Sequence, residues 1–228
     1  MSVAVRVPVG SLGEVREFLR SLPVFSGAIS EFDVNDVPPE PEALFERWLR
    51  EAVDAGVPEP HAMTLSTVDA ECIPDARTLI LKDIDADGWW FSSNARSVKG
   101  AQLSVHPRAA LSFYWPEVAR QVRVRGAVRP GSLDRSAADF RARGPGAKAV
   151  SLASHESQPL PDRATCEVAV AEADKRLADN PELVSPDWQV YAVDATSVEF
   201  WQADKDRQHA RVQYRRHNSG WQHTLLWP

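Results

Sequence analysis

The sequence predicts a mainly β protein with added helices: an antiparallel sheet closed into a barrel, with helices inserted between strands rather than alternating with them. Three observations predict it. Short runs rich in Val, Ile, Thr and aromatic residues follow one another through turn signals such as DAEC, DADG and NSG. The alternation in QVRVRGAV sets Val122 and Val124 against Arg123 and Arg125, the pattern of a half-buried strand. No glycine-rich dinucleotide fingerprint accompanies the strands, which argues against a doubly wound parallel sheet.

Residues 1–40 scatter Pro, Gly and acidic side chains and end in VNDVPPEPE, so they read as a partly flexible N-terminal arm or lid ahead of a single domain over 41–228. From Glu42 to Ala55, Leu44, Phe45, Trp48, Leu49, Ala52 and Val53 recur at helical spacing, with Gly56 as the stop. From His61 the period changes. AMTLSTV, ARTLILKDI and GWWFSS read as three consecutive strands, a short helix opens near Ser97, and RAALSFYW and QVRVRGAV add two more strands. Helices follow over Leu133 to Arg143 and Arg163 to Ala178, joined by a Gly/Pro/Ser-rich link that reads as a binding loop. The chain closes with DWQVYAVDA, SVEFWQA, RVQYRRH and WQHTLLW, the last two joined by an NSG hairpin turn.

Bulk properties narrow the function. A chain of 228 residues with 43% hydrophobic and 25% charged side chains buries a full core and gives no sign of disorder over its bulk. A net charge of -6 argues against a general nucleic-acid binder, which needs a basic face. Cys72 and Cys166 lack any metal or CxxC spacing and read as buried inert thiols. No apolar run approaches the length of a membrane span, so a cytoplasmic protein is expected.

Two basic constellations stand out. Arg77 and Lys82 in RTLILK, followed by Ser92, Ser93 and Lys99, combine a guanidinium fork, ammonium groups and hydroxyls, which is phosphate-binding chemistry. Solvated face charges are the competing reading. Arg77 and Lys82 are also five apart, so a straight strand would point them to opposite faces; one site for both needs a bulge or an interface. Arg207, His209 and Arg211 in DRQHARVQY, at two-residue spacing, would share one face of an extended segment. A charged edge strand has the same pattern, and Trp201 upstream reads equally as a core aromatic.

Taken together, RTLILK, FSSNARSVKG, RQVRVRG and VEFWQADKDRQHARVQYRR resemble the pyridoxamine 5'-phosphate oxidase family, from about Pro38 to Pro228. The resemblance implies an antiparallel split β-barrel with flanking helices, a homodimer with FMN at its interface, hydride transfer from substrate to flavin, and reoxidation by O2. It implies Arg77 and Lys99 as FMN-phosphate ligands, Ser92 and Ser93 as a polar pair on the cofactor, and Lys82 and Gln121 at the isoalloxazine. Trp201 and Arg211 complete that site, and Glu156 and Ser157 form a second contact pair. Arg207 and His209 match the substrate-contacting residues beside the flavin, where catalysis needs positioning because the flavin carries the chemistry.

Departures from the family pattern bear on the substrate. Val98 stands where an Arg is usual, Glu156 replaces a Gln, and Gln208 replaces an apolar residue. Of four residues that hold a substrate phosphate in the family, Lys82 and Arg143 are kept while Asp139 and Ala147 occupy the other places. An aspartate repels a phosphate at neutral pH. The acidic arm, in place of a basic REY-type segment, is closer to the phenazine-biosynthesis oxidases of the same fold. Three readings stay open: oxidation of pyridoxamine or pyridoxine 5'-phosphate, oxidation of a reduced metabolite such as a dihydrophenazine, and flavin binding or flavin reduction without amine oxidase activity.

Overall fold

The structure is a computed structural model that describes residues 12–25, 29 and 31–228. In chain order the elements are α1 (Leu12–Ser21), α2 (Pro41–Asp54), β1 (Ala62–Val68), β2 (Pro74–Ile80), β3 (Asp83–Asp85), β4 (Gly88–Asn94), α3 (Val98–Val105), β5 (Arg108–Trp115) and β6 (Arg120–Pro130). They continue with α4 (Leu133–Ala142), α5 (Pro145–Ala153), α6 (Arg163–Asp179), β7 (Trp188–Gln202), β8 (Ala210–His217) and β9 (Gly220–Leu225). All strand pairs are antiparallel, along the path β2-β1-β5-β6-β7-β4-β3.

The longest strand organises the sheet. One edge of β7 pairs with β6 along most of its length, while the other edge is divided between β4 over residues 188–193 and β8 over residues 197–202. The sequence reads two strands, DWQVYAVDA and SVEFWQA, where the structure has one. β7 carries one extra residue, Thr196, opposite the Arg125–Gly126 step of β6, and runs through this bulge without breaking. Gly126 is required there, because a Cβ would sit 1.9 Å from the Asp194 carbonyl oxygen.

A second difference is the run ARTLILKDI, which is two strands. The Leu81 N–H donates to the His61 carbonyl, the last contact on the β1 side, and the Lys82 N–H donates to Trp90 of β4. The chain changes neighbours between these residues. A third is the link after α4, which contains α5: Pro145 has no N–H to lose at the first helical position, and Ala-rich sequence follows.

Helix α2 buries Leu44, Phe45, Trp48 and Ala52, its one apolar stripe, against the sheet. Phe45 lies 4.7 Å from Trp89 and Trp48 lies 5.2 Å from Phe200, both edge-on. Arg120 is buried over the Trp48 ring at 4.4 Å, with Gln202 and Glu51 as hydrogen-bond partners, so its charge is compensated. Of the expected arm, residues 1–11, 26–28 and 30 lie outside the described residues; residues 12–21 form α1, and Phe32, Val34 and Val37 pack on the core. Both cysteines are exposed rather than buried, Cys72 in a turn with φ 64 and Cys166 on α6. Among the described residues no helix is long and apolar enough to cross a membrane.

Tyr214 of β8 ties the arm to the sheet, its hydroxyl donating to the Pro38 carbonyl at 2.8 Å. Burial pushes this phenol up to about 12. The folded state thus holds the proton more tightly than the unfolded chain, so the contribution is intact below about pH 10 and is lost as pH rises through about 12. Chemical denaturation of wild type and Tyr214→Phe across that window is expected to show an extra alkaline loss in wild type alone, on the order of 1 to 3 kcal/mol.

Candidate functional site

The first cluster forms where the sheet leaves a seam between β2 and β4. A hollow of about 500 Å³ is lined by Thr78, Lys82, Ser92, Ser93, Lys99 and Arg143, with Glu156 and Trp188 at its wall. The change of neighbours at Leu81 resolves the five-residue spacing: Lys82 turns into this hollow, while Arg77 turns toward α3. Arg77 donates to Thr67 Oγ1 at 2.6 Å and to Gln102 Oε1 at 3.2 Å, and pairs with Asp75 at 2.5 Å. Gln102 sits one turn beyond Lys99 on α3, so the guanidinium and the ammonium flank the same helix. Burial alone would raise the Asp75 carboxyl, but Arg77 and its hydrogen-bond donors outweigh that and hold it below the ordinary range.

Helix α3 begins at this wall because Ser97 caps it, accepting from the Gly100 N–H. Lys99 is buried and its Nζ pairs with Glu156 at 3.0 Å, and the Val98 N–H donates to Ser157 Oγ at 3.3 Å. Ser157 holds a left-handed φ of 69. The substituted Glu156 therefore compensates Lys99 directly. Asp139, on α4, accepts from the Trp188 indole N–H at 2.8 Å and lies 3.6 Å from Lys82 Nζ. Arg143, one turn on, stacks over the same indole at 3.9 Å and donates to the Ala147 carbonyl. Its Nε is buried with no hydrogen-bond partner among the described residues. Burial pulls Arg143 below its ordinary value, with Asp139 and Glu156 opposing.

The second cluster lies at the other end of β7. Gln121 of β6 pairs in register with Trp201, and Trp201 with Arg211 of β8. Buried Glu199 fixes Arg211 through its Nε (3.0 Å) and terminal nitrogen (2.7 Å), and the Trp227 carbonyl accepts a third bond. His209 stands 4.9 Å from the Trp201 ring, and Phe25 covers both at 5.6 Å. The expected extended segment over Arg207, His209 and Arg211 is corrected here. Residues 203–209 form a loop in which Arg207 takes a φ of 62, and only Arg211 lies on β8. Asp204 shapes that loop, its side chain accepting from the Asp206 and Gln208 N–H groups and its own N–H donating to His209 Nδ1 at 3.0 Å. A neutral His209 therefore carries its proton on Nε2.

The clusters belong to different stretches of β7, and none of Gln121, Trp201, Arg207, His209 or Arg211 lines the seam hollow. Val190, opposite Ser92, and Trp201 are eleven residues apart on β7, up to about 36 Å along a straight strand. A larger hollow of about 830 Å³ lies beyond Lys82, but Glu40, Glu42, Glu46, Asp83 and Asp85 line it, the wrong sign for a phosphate. Sequence reasoning missed Trp188, Thr67, Gln102, Glu199 and Phe25; each is an ordinary strand, helix or arm residue whose role comes from a partner distant in sequence.

An antiparallel split sheet with a cationic, hydroxyl-lined hollow in its seam defines the class. The particular family follows from comparison: residues 49–176 match the family described as pyridoxamine 5'-phosphate oxidase, and residues 188–228 match the pyridoxine 5'-phosphate oxidase C-terminal dimerisation region. A pyridoxine/pyridoxamine 5'-phosphate oxidase of Cupriavidus taiwanensis is 43% identical over 203 residues, covering 89% of this chain and 94% of that protein. One of Caulobacter vibrioides is 41% identical, covering 83% and 85%. The crystal structure of PhzG from Burkholderia lata in complex with tetrahydrophenazine-1-carboxylic acid aligns with a TM-score of 0.83 at 30% identity, over 89% of this chain and 100% of that one. The chain belongs to the pyridoxamine 5'-phosphate oxidase family, and its relatives are oxidoreductases. A pyridoxamine 5'-phosphate oxidase-related, FMN-binding protein of Nostoc punctiforme, with a TM-score of 0.68 at 18% identity over 85% and 100%, shares the fold.

Proposed function

We propose that the protein is an FMN-dependent oxidase, working as a homodimer, that takes hydride from pyridoxamine or pyridoxine 5'-phosphate or a related nitrogen heteroaromatic and passes the electrons to O2. The observation that carries this reading is the seam hollow, which gathers Lys82, Ser92, Ser93, Lys99 and Arg143. Its donor set fits a flavin mononucleotide. Lys99 and Arg77 would hold the phosphate with the hydroxyls of Ser92, Ser93 and Ser157, while Glu156 borders it and Lys82 stands toward the ring. FMN, when bound, supplies the hydride acceptor and the route for electrons to O2.

The chain itself binds, orients and excludes water. Gln121, Trp201 and Arg211 do not line the seam hollow of their own chain, and we assign them to the seam of a second copy. The match of residues 188–228 to a dimerisation region supports that assignment. Arg207 and His209 then hold substrate there, with the His209 Nε2–H as donor and the Trp201 ring against it. Phosphorylated vitamers, the substrates in the names of the curated relatives, are one reading. The Asp139–Lys82 pair favours a second, a metabolite such as a dihydrophenazine.

Reconstitution tests the proposal. Purified protein incubated with FMN is expected to retain it through gel filtration, and anaerobic mixing with pyridoxine 5'-phosphate, pyridoxamine 5'-phosphate and a dihydrophenazine is expected to bleach it with at least one of them. A protein that takes up no FMN would sink the reading, and one that takes it up but is reduced by none would leave only flavin binding.

A further inference from the structure

The end of the hollow that carries Lys82 and Arg143 holds its own anion. Asp139 is not a stray surface carboxylate: its side chain is only 18% exposed, one oxygen accepts from the Trp188 indole N–H at 2.8 Å, and the other faces Lys82 Nζ at 3.6 Å. The same indole carries Arg143 on its face at 3.9 Å, so one ring fixes the carboxylate by its edge and the guanidinium by its face. Ala147 offers this end no hydroxyl, and its carbonyl accepts from Arg143.

The charges can be counted. At this end Lys82 and Arg143 stand against Asp139, a balance of one positive charge, while Lys99, paired with Glu156, belongs to the end assigned to the FMN phosphate. A ligand with one negative charge, or none, fits that balance. A phosphate monoester carries roughly -1.5 to -2 at pH 7, and it would have to displace Asp139 from Lys82 while lying beside it. The tether to Trp188 resists that displacement.

We propose that Asp139 is a built-in counter-ion that determines specificity: it selects against phosphate monoester dianions and restricts this end of the site to heteroaromatics that are uncharged or singly negative. The proposal rests on the flavin-oxidase reading for its biological meaning, but its test does not depend on flavin reduction. Selection by an opposing charge works by penalising the wrong ligand, so removing the charge should rescue that ligand specifically.

Calorimetric titration of the FMN-treated protein with pyridoxal 5'-phosphate and with pyridoxal gives the ratio of the two affinities. In wild type the phosphate is expected to add nothing to affinity. In Asp139→Asn, which keeps an acceptor for the Trp188 indole, the ratio is expected to shift at least tenfold toward pyridoxal 5'-phosphate, with FMN retention unchanged. A shift smaller than tenfold, or a wild type that already binds the phosphorylated ligand tenfold more tightly than pyridoxal, overturns the proposal. Should Asp139→Asn fail to fold, Asp139→Ser serves the same comparison. Failure of FMN uptake registers separately, in the absorbance of wild type before any ligand is added.

Discussion

Arg77→Ala is expected to release FMN, raising its dissociation constant about 100-fold or more. The guanidinium lies beside the seam, on its α3 side, and is well supported: Thr67 and Gln102 accept from it, Asp75 pairs with it, and its side chain is only 19% exposed. Those partners fix its plane before any ligand arrives, so little side-chain entropy remains to be lost on binding. A hydrogen bond to a charged group contributes about 1.5–3 kcal/mol, and a two-pronged contact with a phosphate roughly doubles that. Arg77→Lys should recover the charge but not the fork, giving an intermediate loss. Fluorescence titration of FMN, which is quenched on binding, checks all three proteins. If Arg77→Ala holds FMN as well as wild type, Arg77 serves only to brace Thr67 and Gln102, and the phosphate lies elsewhere.

The sequence carried more of the strand inventory than of the connections between strands. Nine strand segments were legible from alternation and turns, yet two boundaries fell wrongly, and both for the same physical reason. Periodicity reports which side chains face a core, but not which neighbour the backbone pairs with. At Leu81 the chain changes partner within an unbroken β-rich run, and β7 continues through DATS because its extra residue, Thr196, is taken up as a bulge opposite the Arg125–Gly126 step. Helix α5 was legible in principle, since Pro145 followed by GAKAVSLA is a helix start; its Gly and Pro content read as a loop instead.

The site was legible in its residue types and not in its pairings. Resemblance pointed to Lys82, Lys99, Asp139, Arg143 and Glu156, and the seam gathers Lys82, Lys99, Arg143 and Glu156, with Asp139 set against Lys82. What no local pattern could show is that Glu156 compensates Lys99 across 57 residues, or that Trp188 anchors Asp139 across 49. These partners turn a list of cations into a site with a definite charge balance. The same holds for Glu199, an outwardly unremarkable strand residue that sets the Arg211 plane.

Arg207→Ala is expected to slow reduction of bound FMN by substrate about 100-fold or more while leaving FMN affinity within twofold of wild type. Arg207 sits where the Asp204-shaped loop turns back, its N–H donating to the Asp204 carbonyl at 3.1 Å, and its side chain is exposed on the single chain. Residues held by the loop's own hydrogen bonds position a ligand without bracing the barrel, so the loss should fall on the reaction and not on stability. The left-handed φ of 62 costs a non-glycine residue about 1–2 kcal/mol. Arg207→Gly therefore separates side chain from backbone: it should relieve that strain yet slow reduction as much as Arg207→Ala does. Anaerobic stopped-flow absorbance gives the reduction rate, and the FMN titration gives retention on the same preparations. Equal loss of FMN in Arg207→Ala and Arg77→Ala would abolish the division between a substrate end and a cofactor end, and the two clusters would have to be read as one phosphate site.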